Sequence, residues 1–271
     1  EDGIRDFCLS RGLGDVYKRQ EYIPDKYYSL YDSRVDHATP VQILSSGVKS
    51  VVAAPYHTVF VKKDGSLWGM GWNGTGALGN GKAENDYRDQ DADGIPETLE
   101  ASPIRMVNAE VVNIAVSDFA TLFVKEDGSL WITGDTLTSS TPFSLAPKMI
   151  LESGVVQVEV VQDDYSGHDE IFVLDNDGAV KRLNLDYEEA EGEEDHDEEH
   201  AIYLIDQVAV KDGVKSISGG DRHLLMLMWD GSVWGVGDRA LGQLGNGQDS
   251  RNYPNYVPFD QPIKISSFKS Y

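Results

Sequence analysis

Apolar-rich runs of four to six residues, separated by polar turn residues, recur along this chain. In the clearest stretch the runs are 41–44, 48–53, 58–62 and 66–71, with Val59, Phe60, Val61, Leu67 and Trp68 supplying apolar surface. Runs of that length between turn signals predict short β-strands. The last two are joined through Lys63-Asp64-Gly65, and Asp-Gly suits the positive φ angles of a type I′ hairpin turn. The block then comes back with its spacing intact. Val48, His57, Asp64-Gly65 and Trp68 are followed by Val111, Ala120, Asp127-Gly128 and Trp131, and again by Val214, His223, Asp230-Gly231 and Trp234, with offsets of 9, 7 and 4 each time. Asp177-Gly178 marks a worn copy with Lys181 at the Trp position, so the Asp-Gly pairs lie 63, 50 and 53 residues apart. A repeat of this length, made of short strands and tight turns, predicts an all-β fold, a β-propeller whose blades have four strands.

Counted from its lead-in strand, the second unit is expected at 104–107, 112–116, 121–125 and 129–133, and the third at 148–151, 155–160, 171–174 and 180–185. The fourth is expected at 203–207, 214–218, 223–228 and 232–237. Ile263-Lys264 aligns with Val48-Lys49 and reads as the start of a further unit, while 22–40 reads as the tail of an earlier one. The expected architecture is a partial, open propeller of about four blades. Its unpaired strand edges predict an open arc that aggregates.

The glycine pattern after the third strand gives the repeat a family likeness. Gly71-Trp72-Asn73-Gly74-Thr75-Gly76-Ala77-Leu78-Gly79-Asn80-Gly81 and Gly237-Asp238-Arg239-Ala240-Leu241-Gly242-Gln243-Leu244-Gly245-Asn246-Gly247 share their glycine spacing. With the upstream Val-Lys-Ser, the His and the Asp-Gly-Ser-x-Trp block, they resemble the regulator of chromosome condensation repeat of bacterial type. The resemblance covers 40–271; the second unit lacks the glycine-rich tail after Gly134, and the third keeps little beyond Asp177-Gly178. It implies a seven-bladed parent with repeats of about fifty residues. Members of the family range from a nucleotide-exchange factor that docks on chromatin to exported bacterial proteins, one group of which inhibits β-lactamases by binding them. No motif in this chain carries their site residues over.

Residues 1–20 stand apart. Asp15-Val16-Tyr17-Lys18-Arg19-Gln20 resembles the translated transposon end of short-read sequencing libraries. Ser10-Arg11-Gly12-Leu13-Gly14 continues it upstream, and Glu1-Asp2-Gly3-Ile4-Arg5-Asp6 resembles the flow-cell adapter. They read as an adapter-derived artefact, which leaves 21–271 as the propeller segment, a piece of a longer frame from environmental DNA. The net charge of −23 does not change, since 1–20 hold four acids and four bases, and the single cysteine, Cys8, falls within them. The remainder has no disulfide framework and no thiolate chemistry. Its charge disfavours nucleic acid and anionic membrane as partners, and suits divalent cations or a basic protein. No apolar run is long enough to span a bilayer.

Two acidic insertions carry the candidate chemistry. In the first, near 82–101, Asp89, Asp91, Asp93, Glu97 and Glu100 occupy positions 1, 3, 5, 9 and 12 of a calcium loop. Gly94 stands at the sharp turn, and the Ile95 carbonyl at position 7 is a further oxygen ligand. The string also resembles thrombospondin type 3 loops; against it stands an ordinary solvated acidic loop. The second insertion, 186–200, has ten acids in fifteen residues and predicts an extended, self-repelling segment. Its His196-Asp197-Glu198-Glu199-His200 fits a metallopeptidase pattern, but no apolar flank supports the helix that chemistry needs. Gly76-Ala77-Leu78-Gly79-Asn80-Gly81-Lys82 imitates a phosphate loop, yet Ala83 replaces the magnesium-binding hydroxyl, so these read as blade glycines. The recurring His57 and His223 read as structural hydrogen-bonding residues, and Trp68, Trp131 and Trp234 as core. Trp72 and Trp229 fall outside the repeat and are candidate surface anchors.

Adjacent Asp and Gly in every copy exclude the sialidase box, and there is no G-x-S-x-G motif or catalytic cysteine. The expected function is non-enzymatic: an exported, extracellular or surface scaffold that presents rim loops to a protein or glycan partner, with a calcium-binding insertion. The alternatives are an exchange regulator of a small GTPase and a propeller hydrolase.

Overall fold

A computed structural model describes residues 40, 42–83, 99–135, 144–162, 169–183, 207–210, 212–245, 256–257 and 261–265. The described chain is all-β, in four antiparallel sheets, none closed on itself. The first has the order β1 (Val48–Ala53), β2 (His57–Lys62), β3 (Leu67–Trp72), β4 (Leu99–Val107). The second runs β5 (Val111–Val116), β6 (Ala120–Lys125), β7 (Leu130–Gly134), β8 (Ser144–Leu151). The third contains β9 (Val155–Val161), β10 (Glu170–Asp175), β11 (Val180–Leu183) and β12 (Gln207–Val210), again neighbouring in chain order. The fourth contains β13 (Val214–Gly219), β14 (His223–Met228), β15 (Val233–Asp238), β16 (Tyr256–Val257) and β17 (Ile263–Lys264), with both β16 and β17 on β15. These are the predicted blades.

Two expectations need correction. The units were phased one strand early. Residues 104–107 do not lead into the second blade; they belong to β4, which pairs with β3 through Gly69↔Ile104 and Trp68↔Arg105. Ile263 and Lys264 stand in the same register on Gly235 and Trp234, so they are an outer strand of the fourth blade rather than the first strand of another. A cyclic repeat looks alike whichever strand is counted first, and only the hydrogen-bond partner fixes the phase.

The hairpin turn also differs from type I′. Gly65, Gly128, Gly178 and Gly231 have φ between 77° and 82°, but the only non-glycine residues with positive φ among those described are Glu110 and Arg222. Gly65 N donates to Lys62 O at 2.9 Å and Lys62 N to Ser66 O at 2.9 Å. This is the three-residue hairpin loop that closes on a left-handed glycine bulge. Asp64 keeps negative φ because its role is a side-chain one. Its Oδ1 accepts from Ser66 N at 3.0 Å and Ser66 Oγ at 2.6 Å, and Ser66 Oγ accepts from Trp68 Nε1 at 2.9 Å. Asp127, Ser129 and Trp131 repeat the relay, as do Asp230, Ser232 and Trp234 in its backbone and indole bonds. Hydrogen bonds from the serine hydroxyl and amide hold Asp64, Asp127 and Asp230 below the ordinary carboxylate pKa. The worn blade has Ala179 in the serine place, so Asp175 takes the amides of Asp177 and Ala179, and Lys181 pairs with it at 3.1 Å.

The chain forms two compact units: residues 1–122, 132–135 and 143–148, and residues 123–131, 136–142 and 149–271. In the first, β2 is buried almost throughout, and β5 packs against β1 and β2. Val111 N donates to Gly65 O at 3.0 Å, so the turn glycine of one blade receives the first strand of the next. His57, 1% exposed, puts Nε2 3.0 Å from Thr121 Oγ1 across the same junction. In the second unit, Phe172, Leu174 and Val180 of the third sheet share a core with Ile217, Leu224 and Met226 of the fourth. The Gln157 side chain joins β9 to β13 as a peptide group would, with Oε1 accepting from Ile217 N at 3.0 Å and Nε2 donating to Ile217 O at 2.7 Å.

Candidate functional site

The glycine-rich loop after β3 is a rigid element of the first unit. Asn73 Oδ1 accepts from Leu78 N at 2.7 Å, and Asn73 Nδ2 donates to Asn80 Oδ1 at 2.8 Å and Lys82 O at 3.0 Å. The loop is docked from outside as well. Thr75 Oγ1 donates to Phe119 O at 2.8 Å, Thr133 Oγ1 lies 2.8 Å from Gly76 O, and Gly81 N donates to Leu145 O at 2.8 Å. Ala77 and Leu78 are fully buried beneath it. The phosphate-loop likeness is therefore a packing motif, as the sequence suggested.

Beside this loop lies an aromatic cluster. Tyr56 comes from the β1–β2 loop, Trp72 ends β3, and Phe119 comes from the β5–β6 loop; all three are half-buried. Tyr56 stacks on Phe119 with ring centroids 5.6 Å apart, and Trp72 meets their edges at 5.8 and 6.1 Å. Trp72 N donates to Tyr56 O at 2.9 Å, which fixes the backbone under two of the rings. A side chain on Gly74 would collide with the Trp72 indole. Asp118 adjoins Phe119 in sequence, and Asp135 N donates to Phe119 O at 2.9 Å.

Sequence reasoning singled out Trp72 but missed Tyr56 and Phe119. Their signal was present: they occupy one repeat position, just before His57 and Ala120. The other tryptophan outside the repeat position, Trp229, is 72% exposed in the β14–β15 turn, with Lys215 Nζ 5.4 Å from its ring. His57 is a structural residue, as expected: burial lowers its pKa to about 4. His223 makes a local contact, its Nδ1 lying 2.8 Å from Asp221 O.

Of the proposed calcium ligands, Asp89, Asp91, Asp93, Ile95 and Glu97 lie outside the described residues, as do residues 186–200 and 1–20. Glu100 is in β4 opposite Gly71, and its Oε1 accepts from Asn80 Nδ2 at 2.9 Å. Leu99 pairs with Trp72, so the insertion re-enters the fold beside the aromatic cluster. Among the described residues no group of three His, Cys, Asp or Glu side chains is placed to hold a metal.

No protein-family model matches the chain. A curated mouse protein, regulator of chromosome condensation, is 27% identical over 179 residues, which are 65% of this chain and 38% of that relative. The chain thus spans well under half the length of that relative. The crystal structure of human WBSCR16 superposes with a TM-score of 0.57 at 16% identity, over 84% of this chain and 55% of its own. Yeast RCC1 (Prp20), solved bound to Kap60, gives 0.48 at 17% identity over 83% and 64%. Prp20p from Saccharomyces cerevisiae, described with its binding to Gsp1p and histones, gives 0.47 at 16% identity over 82% and 66%.

Proposed function

We propose that this chain, a run of propeller blades of the regulator of chromosome condensation type, is a binding module that presents the rim of its first unit to a protein partner. The observation that carries this reading is the half-buried Tyr56–Trp72–Phe119 cluster on loops held by backbone bonds. Aromatic anchors on a rigid frame lose little conformational entropy on binding and dominate interface energetics. Panning a random peptide library against the chain tests it. The expected outcome is a set of peptides that lose binding to Trp72→Ala and keep it with Trp229→Ala. Peptides indifferent to Trp72 would count against the rim.

The role is non-enzymatic, and the setting is extracellular or the cell surface, where a calcium-ordered insertion is useful. Asp89, Asp91, Asp93, Glu97, Glu100 and the Ile95 carbonyl form an oxygen set suited to a hard cation. Calcium titrated into the chain should release heat that Asp91→Ala with Asp93→Ala abolishes; heat unchanged by that double substitution would remove calcium from the proposal. The same titration leaves the aromatic rim untested, so the two parts stand or fall separately. A glycan remains a second class of ligand only if library peptides fail.

A further inference from the structure

The rim cluster occupies positions that the repeat fills in other ways. Tyr56 and Trp72 correspond to Phe119 and Asp135 in the second blade and to Arg222 and Asp238 in the fourth. The backbone bond beneath them is the same in each: Trp72 N to Tyr56 O at 2.9 Å, Asp135 N to Phe119 O at 2.9 Å, and Asp238 N to Arg222 O at 2.7 Å. In the fourth blade the two side chains form an ion pair, Arg222 Nη1 to Asp238 Oδ2 at 3.1 Å. The blade therefore folds with an ion pair where the first blade has two aromatic rings. Three rings gathered at one rim exceed what the framework requires.

We propose that the Tyr56–Trp72–Phe119 cluster receives arginine or lysine side chains from a basic protein segment. This rests on the binding-module reading and names the chemistry of its partner. Aromatic faces attract cations through the ring quadrupole, most strongly at indole. This chain already uses that attraction within its blades. Lys62 Nζ stands 3.8 Å from the Trp68 ring centre with Arg105 at 4.9 Å, and Lys125 Nζ stands 4.4 Å from that of Trp131. A net charge of −23 draws a basic segment in and makes the encounter sensitive to salt. Nucleic acid, the other large charged partner class, is repelled by the same field.

The test is fluorescence anisotropy of a labelled arginine–glycine repeat peptide titrated with the full chain at low and at physiological ionic strength. Trp72→Ala should weaken binding about tenfold, the size of a partly desolvated cation–π contact. Trp72→Phe should keep most of the affinity, and Trp229→Ala should leave it unchanged. Raising the ionic strength should weaken binding of the wild type, since the attraction is partly long-range charge. A matched thermal midpoint for each variant establishes that the fold is kept, and Tyr56→Leu is the second probe if Trp72→Ala unfolds. Equal binding by wild type and Trp72→Ala, or equal binding of a glutamate–glycine peptide, would overturn the assignment. If library peptides bind the rim but the arginine peptide does not, the cationic partner falls and the binding module stands. If neither binds, both fall.

Discussion

Gly134→Ala is expected to destabilise the first unit by about 4 kcal/mol, the sum of backbone strain and overpacking. Gly134 has φ 95°, and an added Cβ would strike Phe119 O and come within 2.9 Å of both the Ala120 and Ala77 Cα atoms. All three contacts are backbone, so nothing flexible can give way. The position recurs: Gly71 and Gly237 also have positive φ and crowd the backbone at the start of the neighbouring strand. Gly134 is the most constrained because the glycine-rich loop of the preceding blade, through Ala77, closes over it. The control is Gly231→Ala, where φ is 82° but nothing lies within 4 Å of the added atom. There the left-handed conformation alone costs about 1–2 kcal/mol. Urea midpoints of the two variants should separate clearly; equal midpoints would mean that the junction is looser than described.

Acidification should remove about 3 kcal/mol of stability between pH 6.5 and pH 4 through His57. The ring is fully enclosed, and burial lowers its pKa from 6.5 to about 4. Above pH 6.5 the imidazole is neutral in both folded and unfolded chains, and its contribution is intact. As pH falls through the window, the unfolded chain binds a proton that the folded chain refuses, so stability declines until the folded ring also titrates. The Nε2 contact to Thr121 and the unpartnered, buried Nδ1 suit a neutral ring with its proton on Nε2. Glu159 has the opposite sign. Burial raises its pKa despite bonds from Gly219 N and Gln157, so protonation there favours the fold. The turn aspartates Asp64, Asp127 and Asp230, with lowered pKa values, lose their contribution only as pH falls below the ordinary carboxylate range near 3.8. His57→Gln isolates the histidine: its stability should no longer decline across the window in which the wild type does, and parallel curves would assign the decline to other groups.

The architecture was legible in the sequence because blade formation depends on local chemistry. Asp64-Gly65-Ser66-x-Trp68 specifies a hairpin, a relay of hydrogen bonds and a packed indole within five residues, and each recurrence announces another blade. The loss of the relay in the third blade was also visible, in Lys181 and Ala179. What sequence could not fix is pairing at a distance. The partner of Ile104 is decided by β3 across the first insertion, and Ile263 by β15, so the blade phase needed the sheet. The turn type was missed because Asp-Gly is shared by two hairpin classes, and the distinction lies in Asp64 acting through its side chain. The rim cluster combines loops from two blades, and Tyr56 and Phe119 gain meaning only when the β5–β6 loop is folded beside the β1–β2 loop. Trp72 could be flagged alone because it departs from the repeat. Of the expected calcium ligands Glu100 alone lies among the described residues, where it accepts from Asn80.

The most direct measurement is amide hydrogen exchange of the full chain with and without a peptide selected from the library. Binding at the rim predicts slowed exchange at 56–57, 72–76 and 118–121, with the β14–β15 turn around Trp229 unchanged. Protection confined to that turn, or to the exposed loop around Leu241, would contradict the assignment of the binding surface to the first unit.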